Sequence, residues 1–166
     1  VKDEIGLSFD KILRAMLRQA PNIILIGEIR DGIVADIAIQ AALTGHLVFS
    51  TLHTNDAPSA ITRLIDMGVK PFLCASSIQA IMAQRLVRVI CKKCRVVDEN
   101  PDPYYLEALG ITREQLTKTP VYKGAGCTQC SGTGYKGRLA IFEMFELNNE
   151  VRELAYAKAP TTELRR

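Results

Sequence analysis

Two short apolar runs, Ile23 to Ile26 and Leu47 to Phe49, lie on either side of a segment with helical periodicity. Unbroken runs of Ile, Leu and Val are typical of strands that are buried on both faces, and the connection between these two is long enough for a crossover helix. Within the connection, apolar residues recur in two rows at helical spacing: Ile33, Ile37 and Ala41, and Val34, Ala38 and Ala42. The pattern predicts two parallel strands joined by a helix.

Residues that favour helix ends stand at both ends of this connecting helix. Asp31 is placed to accept hydrogen bonds from the first turn, and Gly45 suits the left-handed conformation that follows a last turn. Asp56 and Pro58 predict the start of a further helix, since proline is tolerated in a first helical turn. Gly68 is expected to end that helix.

The remaining elements are predicted from shorter patterns. A first helix is expected to begin at Ser8 and to end before Pro21. Further along, the chain predicts a helix from Pro71 that carries Phe72, Leu73, Ser76, Ile78, Ile81 and Met82, a strand from Leu86 to Ile90, helical pieces at Tyr104 to Leu109 and Thr112 to Leu116, a strand from Leu139 to Leu147, and a helix capped by Asn148 or Asn149 that continues through Ala157. The chain is therefore predicted to have an α/β fold.

Two residues with ionisable side chains follow the predicted parallel strands. Glu28 comes just after the first strand, and His53 comes just after the second. Parallel strands present their carboxyl ends at the same edge of a sheet, and open sheets bind ligands at that edge. One carboxylate and one imidazole are therefore expected to lie at the same rim.

Composition narrows the class of protein. The chain has 166 residues, of which 48% are apolar, and a formal net charge of +3. A charge this small argues against a dedicated nucleic-acid-binding protein, which would carry a strongly basic surface. No apolar stretch approaches the roughly 20 residues that span a bilayer, and no secretory leader is recognisable. We expect a soluble cytoplasmic protein.

Four of the five cysteines form two Cys-x-x-Cys pairs, Cys91 with Cys94 and Cys127 with Cys130. Two such pairs are typical of a tetrahedral four-thiolate zinc site, which has no open coordination position and is therefore structural. The region contains few apolar residues, so metal binding would replace a hydrophobic core. Redox-active pairs and unpaired core thiols are the alternatives. Cys74 is expected to be a small buried apolar residue.

The first strand and Glu28 together form a Walker B pattern, a buried apolar strand that ends in an acidic residue. In this position a carboxylate can orient Mg²⁺ or its water ligands beside a nucleotide phosphate. The alternative is that Glu28 caps the strand end or pairs with Arg30. His53 lies among Thr51, Leu52, Thr54 and Asn55 and can hydrogen-bond a terminal phosphate. For His46, next to Gly45, a structural role is the alternative.

Several runs of residues resemble one known family. They are Leu13 to Gln19, Gly27 to Asp31 and Thr44 to Ala57, and the resemblance continues through the cysteine pairs and the segment Gly134 to Arg138. These runs resemble the ATPases of type II secretion and type IV pilus assembly, which are hexameric traffic motors. The second and third runs are similar to the Walker B and histidine boxes of that family.

This resemblance implies a fold, a site and partners. The expected fold is a RecA-like, three-layer P-loop NTPase core, and the tetracysteine insert is similar to that of the pilus-extension and type II secretion branch. Glu28 and His53 are implied as catalytic residues, with Gly27 and His46 also binding the cofactor, ATP with Mg²⁺. Arg14, Arg18 and Arg30 are candidates for charge compensation between subunits. The implied partners are a homohexamer and the cytoplasmic domains of inner-membrane platform proteins.

The predicted organisation has three parts. Residues 1–90 would contain the ATPase core with the two boxes, residues 91–137 the zinc-binding subdomain, and residues 138–166 a strand and helix that pack back on the core. Because the chain begins on a helix that leads into a central strand, we expect a C-terminal piece of a longer protein. That protein would be cytoplasmic and associated with the bacterial inner membrane through its partners.

One element of such a motor is absent from the sequence. No Gly-x-x-x-x-Gly-Lys-Ser/Thr loop is present to bind phosphates, so this chain alone is expected to be inactive. The segment Gly132 to Gly137 fits Gly-x-Gly-x-x-Gly, but it follows a cysteine loop and is not interpreted as a dinucleotide site. Two alternatives remain: a zinc-stabilised docking module with Lys92, Lys93, Arg95 and Lys123 around the cysteines, and a related motor for DNA uptake or conjugation.

Overall fold

The computed structural model describes residue 4 and residues 6–165. These residues form two compact units, one made of the described residues of 1–84 and 142–166, the other of residues 85–141. The predicted limits of the zinc-binding subdomain, residues 91 and 137, both lie inside the second unit. The predicted outer limits of the two flanking domains, residues 1 and 166, lie outside the described residues.

The first unit contains the parallel strand pair that the sequence predicts. Strand β1 (Ile23–Ile26) pairs with β2 (Leu47–Ser50), with Ile23 opposite Leu47 and Ile26 opposite Ser50. Helix α2 (Gly32–Leu43) connects them and buries six residues of its apolar rows, Val34, Ala35, Ile37, Ala38, Ile39 and Ala41. The predicted strand, helix, strand unit is confirmed.

The predicted ends of α2 are also confirmed. The Asp31 side chain accepts a hydrogen bond from the backbone N–H of Val34 at 2.9 Å, which satisfies one of the free donors of the first turn. Gly45 has a φ of +97°, a conformation that glycine adopts without the steric cost paid by other residues. The chain can therefore leave α2 and enter β2 within a few residues.

The other described helices of this unit pack in two buried clusters. They are α1 (Phe9–Leu17), α3 (Ser59–Asp66), α4 (Pro71–Ser77), α7 (Asn149–Tyr156) and α8 (Thr161–Leu164). One buried cluster joins α1, β1, α2, α3 and α4, and it includes Cys74, whose side chain is fully buried as predicted. A second cluster joins Ile61 and Ala75 to α7 and α8. Asn148 caps α7 by accepting from Val151 N at 2.9 Å.

The prediction that β1 and β2 are buried on both faces is wrong for this chain. Ile24 and Ile26 are 3% and 1% exposed, whereas Ile23 and Leu25 are 63% and 75% exposed. Successive side chains of a strand point to opposite faces, so α2 and its neighbours cover one face only. The apolar residues on the other face are compatible with burial, but no described element covers them.

The predicted continuation of α4 through Ile81 and Met82 is also wrong. The helix ends at Ser77, and strand β3 (Ala80–Ile90) begins three residues later instead of at Leu86. The hydroxyls of Ser76 and Ser77 donate to carbonyls of Phe72 and Leu73, and Ile78 has an extended ψ of 131°. Local hydroxyl bonding of this kind favours helix ends, and the apolar residues that follow belong to β3.

Strand β3 pairs with β6 (Tyr135–Glu146) in a two-stranded sheet. Strand β6 therefore begins four residues before the predicted start at Leu139. The segment Gly132 to Gly137 leads into this strand and opens no helix, which agrees with its exclusion as a dinucleotide site. No described helix is both long enough and apolar enough to cross a membrane.

The second unit has short elements and few buried apolar side chains. Strand β4 (Arg95–Val97) pairs antiparallel with β5 (Tyr122–Gly124), and between them lie helices α5 (Pro103–Ala108) and α6 (Arg113–Lys118). Among the described residues 85–141, the buried apolar side chains are those of Cys91 and Cys130. The prediction that this region lacks a conventional hydrophobic core agrees with the structure.

Candidate functional site

The carboxyl ends of β1 and β2 are held together beyond the last paired residues. The Thr51 hydroxyl donates to the carbonyl of Gly27 at 2.6 Å, and the backbone N–H of Ile29 donates to the carbonyl of Thr51 at 3.0 Å. These two hydrogen bonds fix the backbone on both sides of Glu28 against the residues that precede His53. Because the strands are parallel, the side chains of Glu28 and His53 lie at the same rim. These two hydrogen bonds then fix the distance between the backbones that carry them.

Glu28 and His53 are in direct contact at this rim. Glu28 Oε2 lies 3.0 Å from Nε2 of His53, and the other carboxylate oxygen accepts a hydrogen bond from the guanidinium of Arg30. A carboxylate only accepts hydrogen bonds, so Nε2 of His53 carries the proton in this contact. The side chain of His53 is 86% exposed and that of Glu28 is 29% exposed, so the imidazole faces solvent while the carboxylate is partly enclosed.

The neighbours of Glu28 keep it ionised. The hydrogen bond from Arg30 is the largest cause that lowers the pKa of Glu28 below its ordinary value of 4.5, and the hydrogen bond from His53 is the second. The same ion pair raises the pKa of Arg30. Both alternatives for Glu28, a ligand-binding carboxylate and a partner of Arg30, are therefore compatible with the geometry.

The structure does not bring His46 to the same rim. His46 precedes β2, at the amino end of the strand, which places it about 13 Å of strand length away from the carboxyl end. Nδ1 of His46 lies 3.0 Å from the carbonyl oxygen of Ala41 and 3.2 Å from the hydroxyl of Thr44. With a proton on Nδ1, the ring donates to one carbonyl group, that of Ala41, near the carboxyl end of α2.

The predicted helix cap at Asp56 and two contacts that sequence reasoning missed, made by Glu143 and Arg165, hold the chain that follows His53. The backbone N–H of Ala57 donates to Glu143 Oε2 at 2.9 Å, and the N–H of Ser59 donates to Asp56 Oδ1 at 2.9 Å. Arg165 donates to Asp56 Oδ2 at 2.7 Å. The hydrogen bond from Ser59 and the charge of Arg165 lower the pKa of Asp56. Nothing in the local sequence pattern connects Ala57 to Glu143, 86 positions away, or Asp56 to Arg165, 109 positions away.

An open polar cavity of about 510 Å³ lies beside His53. Its lining is formed by the loop after β2, by α3 and by the start of α8, through His53, Thr54, Asn55, Ser59, Thr62, Arg63, Asp66 and Thr161. The hydroxyls of Thr62 and Thr161 are 3.2 Å apart, so α3 and α8 are in contact within this lining. His53 therefore contacts Glu28 and also lines an open polar cavity.

The four paired cysteines converge in the second unit. The Sγ atoms of Cys91, Cys94, Cys127 and Cys130 all lie within 4.8 Å of one another. Cys91 and Cys127 are 3.9 Å apart, Cys94 and Cys130 are 3.8 Å apart, and Cys127 and Cys130 are 3.7 Å apart. Zn–S bonds of about 2.3 Å in a tetrahedron place sulfurs about 3.8 Å apart. The donor set and its spacing fit a zinc ion.

Backbone N–H groups point at these sulfurs. Cys130 Sγ accepts from the N–H groups of Cys127 at 3.2 Å and Gly134 at 3.3 Å. Although burial opposes ionisation, the N–H donors together lower the pKa of Cys130 to about 6, and the N–H of Lys93 lowers the pKa of Cys91. Burial instead raises the pKa of Cys94 to about 12.

Two glycines allow the two cysteine loops to approach each other. A Cβ on Gly124 would lie 2.0 Å from the carbonyl oxygen of Gly134. Across this approach, Cys91 N donates to Gly134 O at 2.9 Å and Ala125 N donates to Cys94 O at 2.9 Å. Sequence reasoning did not assign a role to these glycines; the signal was their position beside the second cysteine pair.

Two of the basic residues around the cysteines have partners within the unit. Lys123 forms an ion pair with Asp98 at 2.9 Å, and the guanidinium carbon of Arg95 lies 4.3 Å from the centre of the Tyr122 ring. Lys123 also lowers the pKa of Asp98. If this region were a docking module, its basic side chains would contact a partner. The contacts of Lys123 and Arg95 within the unit already engage part of that positive charge.

The parallel strand unit, with an acidic residue and a histidine at its carboxyl rim, defines an α/β protein. Residues 1–166 match the family described as Type II/IV secretion system protein, and the chain belongs to this family. The predicted α/β fold class and the predicted family are both confirmed.

Its relatives include proteins of both systems. The chain is 49% identical over 165 residues to the type IV pilus assembly ATPase PilB of Thermus thermophilus, covering 99% of this chain and 18% of the relative. It is 50% identical over 152 residues to type II secretion system protein E of Pectobacterium carotovorum subsp. carotovorum, covering 92% of this chain and 30% of the relative. The chain thus spans less than a third of the length of these relatives.

Solved structures of related ATPases have a similar fold. The pilus retraction motor PilT, in a crystal structure with bound ADP, aligns with a TM-score of 0.59 and 26% identity, covering 92% of this chain and 33% of PilT. The ATPase DotB of Legionella pneumophila aligns with a TM-score of 0.58 and 21% identity, covering 95% of this chain and 32% of DotB. At the latter identity, the similarity supports the fold alone.

Proposed function

We propose that this chain is the C-terminal part of a hexameric ATPase that powers type IV pilus assembly or type II secretion. Within that motor it would form one edge of the ATP site. The observation that carries the proposal is the 3.0 Å contact between Glu28 Oε2 and His53 Nε2 at the carboxyl rim of the parallel strands. The family membership supports the reaction class, ATP hydrolysis.

Each rim residue has a specific role in this proposal. Mg²⁺ would neutralise phosphate charge when nucleotide is bound, and Glu28 would hold the ion or one of its waters, since a carboxylate is the hard oxygen ligand that Mg²⁺ prefers. His53, whose Nε2 carries a proton, would donate a hydrogen bond to the terminal phosphate. Gly27 would keep the backbone open beside the phosphates; a Cβ there meets nothing within 4 Å.

His46 would act on the nucleotide indirectly. Its contacts with Ala41 and Thr44 fix the turn between α2 and β2, and β2 carries His53 at its far end. Arg30, which is paired with Glu28, is a candidate for charge compensation once nucleotide is bound. Loss of the terminal phosphate near Glu28 and His53 would release contacts and allow subunits to shift.

The decisive test is a substitution in the complete protein that contains these residues. Glu28→Gln removes the charge but keeps the size, so it should abolish ATP turnover while hexamer assembly, measured by light scattering, is retained. Glu146→Gln, on an exposed part of β6, is the control and should turn over ATP at the original rate. Wild-type turnover by Glu28→Gln would overturn the proposed role of Glu28.

The 166-residue chain alone is proposed to be inactive. It supplies a carboxylate and an imidazole but no Gly-x-x-x-x-Gly-Lys-Ser/Thr loop to bind phosphates. It should therefore neither hydrolyse ATP nor bind it tightly. Steady-state release of phosphate by the purified chain above a Glu28→Gln background would contradict this part of the proposal.

We further propose that residues 91–137 form a zinc-stabilised subdomain in which Cys91, Cys94, Cys127 and Cys130 hold one structural Zn²⁺. Its support is the sulfur spacing and the lack of other buried apolar side chains in the second unit. Residues 1–90 and 138–166 would form the flanking parts of the ATPase core. The whole protein would be cytoplasmic and bound at the bacterial inner membrane through the cytoplasmic domains of platform proteins.

A further inference from the structure

We propose that Glu143 is a positioning residue for His53, acting through the backbone of the loop that joins β2 to α3. The proposal rests on the proposed function only where ATP turnover is concerned. Glu143 lies on β6, 86 positions from Ala57, and its carboxylate accepts the Ala57 N–H at 2.9 Å. Ala57 is four residues after His53 and is fully buried.

The side chain of His53 cannot fix its own position. It is 86% exposed, and its contact in the structure is with Glu28. The direction of the imidazole therefore depends on the backbone at both ends of the loop. On the strand side, Thr51 is tied to Gly27 and Ile29. On the helix side, the ties are those of Asp56 and Ala57.

Glu143 makes the contact that satisfies the Ala57 N–H on the helix side. Pro58 has no N–H, the N–H of Ser59 is taken by Asp56, and the N–H of Ala60 is bonded to the carbonyl of Ala57. The Ala57 N–H is thus the buried donor that needs an external acceptor. A carboxylate accepting a backbone N–H at a helix start forms a charge-assisted hydrogen bond, so Glu143 anchors the loop more firmly than a neutral acceptor would.

Arg165 completes the anchor from a third element. It bonds Asp56 Oδ2 at 2.7 Å while Asp56 Oδ1 holds Ser59, so Asp56 is fixed from both sides. Strand β6, α8 and α3 therefore meet at the two residues before Pro58. Residues far from the ATP site in sequence hold the loop that carries its histidine.

The first experiment uses NMR on the 166-residue chain and needs no nucleotide. Glu143→Ala should raise the hydrogen exchange rate of the Ala57 amide about tenfold, as expected for loss of one such hydrogen bond, and leave the amides of Ile61 and Leu64 unchanged. Glu28→Gln should change the NMR chemical shifts of the His53 ring, and this change should be smaller when Glu143→Ala is also present. The ring of His46, the other histidine, serves as an internal reference. Glu143→Gln, which keeps an oxygen acceptor, should retain most of the protection.

Glu146→Ala is the matched control, because Glu146 lies on the same strand and should change neither signal. An unchanged Ala57 exchange rate in Glu143→Ala would overturn the proposal. So would an equal rise at Ala57, Ile61 and Leu64, since that result means general destabilisation of the unit and not loss of a local anchor.

The second experiment measures ATP turnover in the complete protein. Glu143→Ala should lower kcat about tenfold with KM for ATP unchanged, and Glu143→Gln should restore most of it, because His53 would contribute in the transition state more than in binding. If His53→Ala turns over ATP normally, the proposed function of His53 fails, whereas the NMR result still decides the anchor. If His53→Ala is inactive and Glu143→Ala has the original kcat, the positioning role itself is overturned.

Discussion

Glu28 Oε2 and His53 Nε2 are 3.0 Å apart although 25 positions of the chain separate the two residues. The parallel pairing of β1 with β2 explains this contact, because it brings both strand ends to one rim with α2 as the only connection. The contact joins a carboxylate that Arg30 and His53 keep ionised to an imidazole that faces solvent. Its consequences can be measured on the protein without any ligand.

The first prediction concerns acid pH. The pKa of Glu28 is lowered from 4.5, first by Arg30 and then by His53. A group whose pKa is lower in the folded state stabilises the fold at pH values above its unfolded pKa, and this contribution is lost as the pH falls through the folded pKa. The difference in urea midpoint between the original chain and Glu28→Gln should therefore be constant near pH 7 and shrink below about pH 4.5.

Asp56 and Asp98, whose pKa values are also lowered, remain in both proteins and cancel in this comparison. A difference that grows as the pH falls would contradict the assigned sign. Glu114→Gln provides a control, because Glu114 is 81% exposed in an ion pair within one helix, and its substitution should change the urea midpoint little.

The second prediction separates the two histidines. His46→Ala removes the ring that contacts Ala41 and Thr44 at the end of α2, so the free energy of unfolding should fall by about 1 kcal/mol. His53→Ala removes an exposed ring and should change the free energy of unfolding by less than about 0.5 kcal/mol. In the complete protein the effects on ATP turnover should be reversed, with a large loss for His53→Ala and a small one for His46→Ala.

Urea unfolding of the chain and a phosphate-release assay on the complete protein supply the two measurements. A loss of turnover in His46→Ala as large as that in His53→Ala, with little change in stability, would show that His46 itself binds the cofactor.

The third prediction concerns two glycines that flank the rim. A Cβ on Gly32 would lie 2.3 Å from the carbonyl oxygen of Met67, whereas a Cβ on Gly27 meets nothing within 4 Å. Gly32→Ala forces α2 away from the end of α3 and should lower the free energy of unfolding by about 2 kcal/mol, despite the better helix propensity of alanine. The free energy of unfolding of Gly27→Ala should be within about 0.5 kcal/mol of that of the original chain.

Equal stability of the two variants would contradict the packing of α2 against Met67. In the complete protein, Gly27→Ala is expected to weaken ATP binding instead, because its Cβ would occupy the open side of the rim. A fluorescent ATP analogue titration measures that effect independently of folding.

Sequence patterns were informative where a feature is local. The periodicity of α2, the cap at Asp31 and the turn at Gly45 each depend on residues a few positions apart, and the parallel pair then places Glu28 beside His53. The Cys-x-x-Cys spacing likewise predicts four converging sulfurs. Each of these features follows from geometry that a short window of sequence contains.

Other features depend on tertiary context. The helix from Pro71 ends at Ser77, where the serine hydroxyls bond the last turn, and the residues that follow pair with β6. The exposed face of β1 cannot be predicted, because an apolar run contains no information about which of its faces is covered. Glu143 gives no local signal, since its partner Ala57 is 86 positions away.

The last prediction concerns the cysteine centre. Cys94→Ser removes one of four sulfurs that lie within 4.8 Å of one another, so zinc content should fall from one ion per chain to well below one. Because Cys91 and Cys130 are the buried apolar side chains of the described residues 85–141, no other core is available there. The amide signals of residues 91–137 should therefore lose dispersion, while those of α2 and α3 remain.

Cys74→Ala is the control, because the Cys74 thiol is buried in the other unit, where burial raises its pKa to about 11. This variant should keep its zinc. Elemental analysis and two-dimensional NMR of both variants measure these effects, and a dispersed spectrum for residues 91–137 in metal-free Cys94→Ser would show that the metal does not support the fold.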